Sequence, residues 1–297
     1  MTHTIDSEDL PTNLSHNEHF QQVVQRAVNR RGFLFKSGVG AAAVAFMSAG
    51  LTGCGGGDDT TVSAPVADQP LLGFAAIATY TDDGIRIAPG YTATPFLPWG
   101  TPLFSTGAGA TWVGDASENA AAQARQIGDN HDGIHYFAID GKSDEGLLVM
   151  NHEYTNLQYL FTDGQVNSLD DAHKDLNAHG VSVVHIRRTG GVWSLVVDSR
   201  YTRRITGNTP MLLTGPAAGD ALMTTTADPT GTVVLGTLNN CGNGWTPWGT
   251  YLTCEENFNQ YFGTTDTSAV RNTNMARYGL PSGATSRRYE SYISRFD

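Results

Sequence analysis

Two of the chain's three cysteines fall beside two adjacent carboxylates and several amides in one short run, residues 239–257. The thiol and carboxylate residues of this run are Cys241, Cys254, Glu255 and Glu256. A soft thiolate beside hard carboxylate oxygens is an unusual pairing outside a metal site. The alternative is a buried structural pair of cysteines or a disulfide across a hairpin. Composition alone leaves these two interpretations equally open.

The same run predicts a turn followed by a strand. Glycine and asparagine, which tolerate positive φ, dominate residues 239–244 and predict a turn there. Residues 248–254 predict a strand, and residues 232–238 predict the strand before the turn. The pattern therefore predicts a hairpin in which Cys241 lies in the connecting loop.

A weak internal repeat adds a second glutamate to the candidates. When the chain is shifted by 103 residues, Glu153 falls on Glu256, and both follow a predicted strand and precede an aromatic-rich segment. Because side chains alternate along a strand, Asn151 shares the face of Glu153, and Glu255 lies opposite Glu256. We therefore rank Glu256 above Glu255 as a metal ligand and include Glu153 and Asn151. A strand-end hydrogen bond or a solvated edge is the alternative role for Asn151 and Glu153.

Other polar features carry weaker predictions. Residues 129–133, D-N-H-D-G, offer carboxylates to Ca²⁺ but lack EF-hand spacing, which favours a turn rich in aspartate and asparagine. His179 precedes a predicted strand and is expected to be structural. Arg203 and Arg204 could hold a phosphate bidentately, although adjacent surface arginines are common. The sequence has no H-E-x-x-H, G-x-S-x-G or P-loop motif, which argues against zincins, serine hydrolases of that type and P-loop nucleotide binding.

Composition and patterning indicate an all-β fold. Hydrophobic residues make up 40% of the 297 residues, and 34 residues are glycine, so we expect a packed core with many turns. Predicted strands recur as hairpins, at 135–139 with 147–151 and at 181–187 with 192–198, while residues 118–127 are the best helix candidate. Repeated antiparallel units suggest a propeller or a sandwich, and the internal repeat favours a propeller. The formal net charge of −11 argues against nucleic-acid binding.

Residues 1–53 predict an export signal with a lipid attachment site. The sequence N-R-R-G-F-L-F-K at 29–36 resembles a twin-arginine signal, and the uncharged run 37–51 is shorter than a membrane span. The sequence L-T-G-C that ends at Cys54 resembles a lipobox; a membrane-anchoring helix or cleavage without lipidation is the alternative. Residues 54–70 predict a flexible tether. We therefore expect export by the twin-arginine translocation machinery, and a periplasmic or membrane-anchored domain over residues 71–297.

Several motifs resemble those of the PhoX-type alkaline phosphatases. Besides the signal, they are G-D-N-H-D-G at 128–133, V-M-N-H-E-Y at 149–154, A-H-G-V-S-V-V at 178–184, the segment 204–219 and the run 239–257. The resemblance implies a six-bladed β-propeller that hydrolyses small phosphomonoesters and releases inorganic phosphate. It also implies a site that contains Ca²⁺ and two Fe³⁺ ions, with a cysteine thiolate bridging the iron ions.

Carried over by motif, Cys241 would be the bridging thiolate and the catalytic residue, with Cys254 as a close neighbour. Glu153 and Glu256 would be carboxylate ligands to iron or calcium. Metal ions would bind the phosphate oxygens, so that no serine nucleophile is required. PhoX-type phosphatases are considerably longer, so this chain is expected to be truncated, with an incomplete propeller and with its own activity in question. The competing interpretations are a non-enzymatic lipoprotein with a ligand-binding propeller and a Ca²⁺-dependent propeller hydrolase.

Overall fold

The computed structural model describes residues 75–297, and their secondary structure is mostly β. The predicted signal, Cys54 and the tether lie outside the described residues. The strands are β1 His131–Ala138, β2 Glu145–His152, β3 Gly180–Thr189, β4 Val192–Leu195, β5 Arg203–Ile205, β6 Thr209–Leu212, β7 Val233–Gly236, β8 Asn240–Trp245 and β9 Tyr251–Glu255. The α-helices are α1 Ala120–Gln123, α2 Leu157–Leu160, α3 Leu169–Ala178 and α4 Thr273–Arg277. None of the helices in this part of the chain has the length and apolar character needed to span a bilayer.

A five-stranded antiparallel sheet contains the first hairpin, β1–β2. Its strand order is β1-β2-β3-β4, and β5 also pairs with β3. Val149 and Val183 contribute to an apolar cluster on one face of this sheet. Met150 and Val184 contribute to a second cluster on the other face. The strands β2 and β3 are therefore buried between two apolar clusters, one on each face of the sheet.

The second hairpin, β8–β9, packs against the first sheet. Tyr251 contacts the apolar cluster of β2 and β3, and its hydroxyl oxygen lies 2.9 Å from the carbonyl oxygen of Gly133. The Trp245 ring stacks on His135 with 3.9 Å between ring centroids. A Cβ atom at Gly133 would lie 2.6 Å from the Asn243 side chain, so the approach of β8 to β1 requires glycine. These contacts set the position of the second hairpin.

The predicted hairpin around a Cys241 loop is wrong. β7 pairs with β6 and not with β9. Residues 240–245, most of which were predicted as a turn, form β8 and pair with β9. The glycines and asparagines fit into a strand because the register is irregular between Asn240 and Asn243, as in a β-bulge. Cys241 therefore lies in a bulged strand, and residues 246–250 make the turn.

The other two predicted hairpins are confirmed, but the helix predictions are incomplete. The candidate at 118–127 is reduced to α1, which the Asn119 side chain caps. The longest described helix, α3, was not predicted from the sequence. Ser168 caps its first turn, yet its buried side chains include Asp175 and Asn177. A search for an apolar stripe misses a helix whose inner face is partly polar.

Candidate metal centre

Acidic and thiol side chains meet at the ends of the two hairpins. The candidate ligand atoms of Asp132, Glu153 and Cys241 all lie within 4.8 Å of one another, and the three residues are half-buried. The carboxylates of Asp132 and Glu256 lie close enough to the Cys241 thiol to affect its pKa. The structure therefore brings together the predicted ligands Cys241, Glu153 and Glu256, and it adds Asp132. We refer to these four residues as the acidic–thiol cluster.

The two glutamates are held by the same backbone arrangement. In the first hairpin, the Glu153 amide donates to the carbonyl oxygen of Asn130 at 3.0 Å, and Asn130 has a φ of 37°. In the second hairpin, the Glu256 amide donates to the carbonyl oxygen of Asn239 at 2.8 Å, and Asn239 has a φ of 50°. Asparagine tolerates this left-handed conformation better than most residues. Each glutamate is thus fixed at the end of its strand by an asparagine before the partner strand.

A bulge in each hairpin presents the other candidate ligand. The strand register shifts at residues 131–134 of β1 and at residues 240–243 of β8. Asp132 and Cys241 are the second residues of these two segments. Because a bulge redirects the side chains at its site, it can turn a strand residue toward the end of the sheet. Asp132 and Cys241 therefore occupy equivalent places in the two hairpins, although they are 109 residues apart and the two glutamates are 103 residues apart.

Hydrogen bonds and crowded negative charge dominate the electrostatics of the cluster. Hydrogen bonds to the carboxylates of Asp132 and Glu256, together with burial and the charge of Glu153, raise the pKa of the Cys241 thiol to about 12. Burial and the charges of Asp132 and Glu256 raise the pKa of Glu153. Both shifts favour the protonated form. A cation fits this site because it would offset the negative charge and replace the proton on sulfur.

The Asn151 amide is used inside the protein. Its Nδ2 donates to the carbonyl oxygen of Cys241 at 2.8 Å. The hydroxyl oxygens of Tyr251 and Thr253 lie 2.9 and 3.0 Å from its Oδ1, where they occupy the space that a metal ion would need. The Asn151 side chain is 0% exposed. This geometry disfavours Asn151 as a metal ligand and makes it a link between the two hairpins.

Glu255 and Cys254 lie apart from the cluster. The Glu255 Oε1 accepts hydrogen bonds from the Thr237 hydroxyl at 2.6 Å and from the Leu238 amide at 2.8 Å. This placement agrees with the ranking of Glu256 above Glu255, since neighbours in a strand point to opposite faces. Cys254 is exposed and does not belong to the acidic–thiol cluster, and both it and Cys241 are free thiols.

Asp132 is the functional candidate that the sequence pattern ranks too low. The D-N-H-D-G pattern offers carboxylates to Ca²⁺ but favours a turn over residues 129–133, and part of the turn prediction holds. Asp129 accepts hydrogen bonds from the backbone amides of Asn130 and Asn156 at 2.8 and 2.9 Å. Asp132, however, lies in β1. The signal that could have identified it is the parallel between N-H-D-G and N-N-C-G, in which the ligand comes two residues after the asparagine.

His179 and Arg204 have structural roles. His179 is buried, and its ring nitrogens lie 2.8 Å from the carbonyl oxygen of Asp175 and 3.0 Å from the Tyr261 hydroxyl, as the prediction of a structural histidine requires. The Arg204 guanidinium donates to the Ser182 hydroxyl and to two backbone carbonyl oxygens. Because Arg204 is engaged in this way, a two-arginine phosphate clamp is wrong.

A buried ion pair supports the chain next to both glutamates. Asp175 of α3 and Arg287 are paired at 2.8 Å, and the Thr155 hydroxyl lies 2.5 Å from each of them. Thr155 follows the first glutamate by two residues. The Arg287 guanidinium also lies over the ring of Tyr261, whose hydroxyl accepts a hydrogen bond from the Asn239 amide at 2.8 Å. The ion pair thus connects α3 to both ligand-bearing ends.

Comparisons with known proteins agree with this geometry. The chain matches the family described as alkaline phosphatase PhoX over residues 72–297. Among solved structures, it is similar to Pseudomonas fluorescens PhoX in complex with vanadate, a transition state analogue, with 42% sequence identity and a TM-score of 0.72. The match covers 75% of this chain and 38% of that chain, so this chain spans well under half the length of that relative. No curated protein matches the chain.

Proposed function

Because the chain belongs to the alkaline phosphatase PhoX family, we propose that it carries the metal centre of a phosphomonoesterase that releases inorganic phosphate from small organic phosphates. The reaction class is the hydrolysis of phosphoric monoesters. The observation that carries this proposal is the convergence of the candidate ligand atoms of Asp132, Glu153 and Cys241 at the ends of two hairpins.

We propose a centre that contains two Fe³⁺ ions and Ca²⁺, as the family resemblance implies, and the donor set is compatible with both metals. Cys241 offers a soft sulfur, which suits a transition metal. Asp132, Glu153 and Glu256 offer hard carboxylate oxygens, which suit Ca²⁺ and are also acceptable to Fe³⁺. The position of Cys241 within the cluster favours it over Cys254 as the thiolate ligand. We therefore expect mixed sulfur and oxygen ligation.

When bound, the metal ions supply Lewis-acid stabilisation of the phosphoryl oxygens. The chain's own residues prepare the place for them. The thiol of Cys241 has to lose its proton, and its raised pKa means that a cation has to take the place of that proton. The backbone hydrogen bonds of Glu153 and Glu256 hold their strand ends in place, which limits the motion of the ligand oxygens.

The fold that we propose around this centre is a six-bladed propeller. The two bulged hairpins would be inner parts of two blades, which explains why equivalent positions in both carry ligands. The described residues themselves form one five-stranded and two two-stranded sheets. Since this chain spans 38% of the similar structure's chain, it would supply a share of the ring.

The site of action that we propose lies outside the cytoplasm. The twin-arginine sequence at 29–36 supports export by the twin-arginine machinery, and L-T-G-C at 51–54 supports lipid attachment at Cys54. The protein would then be periplasmic or anchored to the membrane by its lipid. Metabolic labelling with a radioactive fatty acid tests this, and a label retained in Cys54→Ser would contradict lipidation at that residue.

Metal content and hydrolysis of p-nitrophenyl phosphate test the catalytic proposal. The full chain is loaded with Fe³⁺ and Ca²⁺, and we expect stoichiometric iron, a thiolate-to-iron absorption band and phosphate release. Cys241→Ser should lose the band and the hydrolysis, whereas Cys254→Ser, the matched control, should keep both. A chain that binds no metal would overturn the proposal, and a metal-loaded chain that hydrolyses no ester would overturn its catalytic part.

A further inference from the structure

We infer that Asn151 is a positioning residue, which orients Cys241 toward the metal centre from the neighbouring hairpin. This inference deepens the proposed function and rests on it. Asn151 lies in β2 of the first hairpin, whereas Cys241 lies in β8 of the second. A single side chain therefore joins the two strands that carry ligands of different chemical type.

The contacts of Asn151 are concentrated on the bulge. Its Nδ2 lies 2.8 Å from the carbonyl oxygen of Cys241 and 3.5 Å from that of Gly242. Both carbonyl groups belong to residues 240–243, where the register between β8 and β9 is irregular. A bulged residue is left without its regular ladder partner. The Asn151 amide thus supplies the Cys241 peptide with a donor at a point where strand pairing is disrupted.

Two hydroxyl groups of the second hairpin fix the orientation of this amide. The hydroxyl oxygens of Tyr251 and Thr253 lie 2.9 and 3.0 Å from the Asn151 Oδ1. A rotated amide would place Oδ1 against the carbonyl oxygen of Cys241 and Nδ2 against the hydroxyls, and two carbonyl oxygens cannot form a hydrogen bond. Because Tyr251 and Thr253 both lie in β9, Asn151 contacts both strands of the second hairpin.

The consequence for the metal centre follows from the covalent structure of Cys241. Its carbonyl carbon and its Cβ share one Cα, so a peptide held by Asn151 restricts the direction in which the thiol can point. The thiol has to reach a position where its sulfur lies within 4.8 Å of oxygens from Asp132 and Glu153. Loss of outer partners of metal ligands typically lowers metal affinity by about 10- to 100-fold. We expect a loss of that size when the Asn151 amide is removed.

Asn151→Ala tests the inference, with Gln123→Ala as the matched control. Gln123 is an equally buried amide, with Oε1 accepting from Trp99 at 2.8 Å and Nε2 donating to the Ile127 carbonyl at 3.2 Å. The full chain is titrated with Co²⁺, and the thiolate-to-cobalt absorption band is followed. Asn151→Ala should weaken Co²⁺ binding by about 10- to 100-fold. Gln123→Ala should lower the melting temperature about as much as Asn151→Ala does, and it should leave Co²⁺ binding unchanged.

A second measurement needs neither metal nor activity. The rate at which iodoacetamide alkylates Cys241 in the metal-free chain is measured by peptide mapping, with Cys254 as the internal reference. Asn151→Ala should change this rate several-fold relative to Cys254, and Gln123→Ala should not. If Asn151→Ala fails to fold, Thr253→Val, which removes one hydroxyl beside Oδ1, should shift both readouts in the same direction by a smaller amount.

Asn151→Asp separates positioning from direct ligation. A ligand role predicts retained or tighter Co²⁺ binding, because a carboxylate replaces the amide oxygen. A positioning role predicts weaker binding, because aspartate has no N–H group to donate to the Cys241 carbonyl. Unchanged Co²⁺ affinity and alkylation in Asn151→Ala, or retained affinity in Asn151→Asp, would overturn the inference. If the Asn151 variants change Co²⁺ affinity and Cys241 alkylation as expected but the chain hydrolyses no ester, the catalytic proposal is overturned and the role of Asn151 is retained.

Discussion

The hairpins β1–β2 and β8–β9 share a backbone design and differ in their support. The first belongs to a five-stranded sheet with apolar clusters on both faces. The second is a two-stranded sheet, and Trp245 and Trp248 near its turn are 59% and 79% exposed. Each nevertheless places one candidate ligand in a bulge and one glutamate after its second strand.

The difference shows that ligand geometry and structural support are separable. A bulge and a strand end can present oxygen donors in one hairpin and a sulfur donor in the other, whichever sheet surrounds them. The second hairpin depends on contacts with the first, chiefly through Tyr251 and Asn151. We therefore expect changes at this contact to disturb the metal centre before they unfold the first sheet.

The largest expected effect, on iron binding, comes from removing the Cys241 sulfur, the donor that distinguishes the two hairpins. Cys241→Ser replaces the soft sulfur with a harder, less acidic hydroxyl, and we expect iron binding to fall by more than the roughly 100-fold typical of outer partners. Iron content and the thiolate absorption band measure the effect. Cys254→Ser is the control. An equal loss of iron in that variant would contradict the choice of Cys241 over Cys254 as the thiolate ligand.

The equivalence of the hairpins predicts similar losses from their two glutamates. Glu153→Gln and Glu256→Gln each remove one negative charge from the cluster, and we expect metal affinity to fall by about 10- to 100-fold in each. Isothermal titration with Ca²⁺ and Fe³⁺ compares them. Glu255→Gln should leave affinity unchanged, because its carboxylate contacts Thr237 and Leu238. A tenfold difference between the first two variants would break the equivalence.

Equivalent glycines provide a test of the contact between the hairpins. Gly133→Ala would place a Cβ 2.6 Å from the Asn243 side chain, whereas no atom lies within 4 Å of a Cβ placed at Gly242. We expect Gly133→Ala to cost about 2 kcal/mol of unfolding free energy and to weaken metal binding. Urea denaturation and metal titration measure both effects. Equal losses of unfolding free energy in Gly133→Ala and Gly242→Ala would show that the hairpins do not depend on the close approach of β8 to β1.

The smallest expected effect is on the pH dependence of the unfolding free energy, through His179 beside the first sheet. Burial, together with the charge of Arg287, lowers the pKa of His179 to about 4, against about 6.5 in unfolded chains. Between these values the unfolded chain binds the proton more readily, so unfolding free energy falls as pH decreases from 6.5 to 4. We expect His179 to account for a loss of about 1 kcal/mol between pH 6 and pH 5. Urea denaturation at several pH values measures it, and His179→Gln should reduce this slope; an unchanged slope would contradict the assignment.

Strand alternation and the internal repeat predicted part of the cluster. Glu153 and Glu256 were expected to point the same way, and the structure brings both to Cys241. The motifs also predicted the family that the comparisons show. Asp132 was assigned to a turn because D-N-H-D-G has a local preference for turns, and only the pairing of β1 with β2 on either side of it reveals that it lies in a strand. The helix α3 was missed because its inner face contains the buried carboxylate of Asp175.

The sequence by itself determined the types of donor, the mostly-β character of the chain and the family to which it belongs. Only the tertiary structure decided that β8 pairs with β9, that Asp132 joins the cluster and that the Asn151 amide holds the Cys241 peptide. Local propensity reflects the conformational preferences of a few neighbouring residues. The contacts of the Asn151 amide join residues 90 to 102 positions apart in the sequence, and such packing is absent from any local pattern.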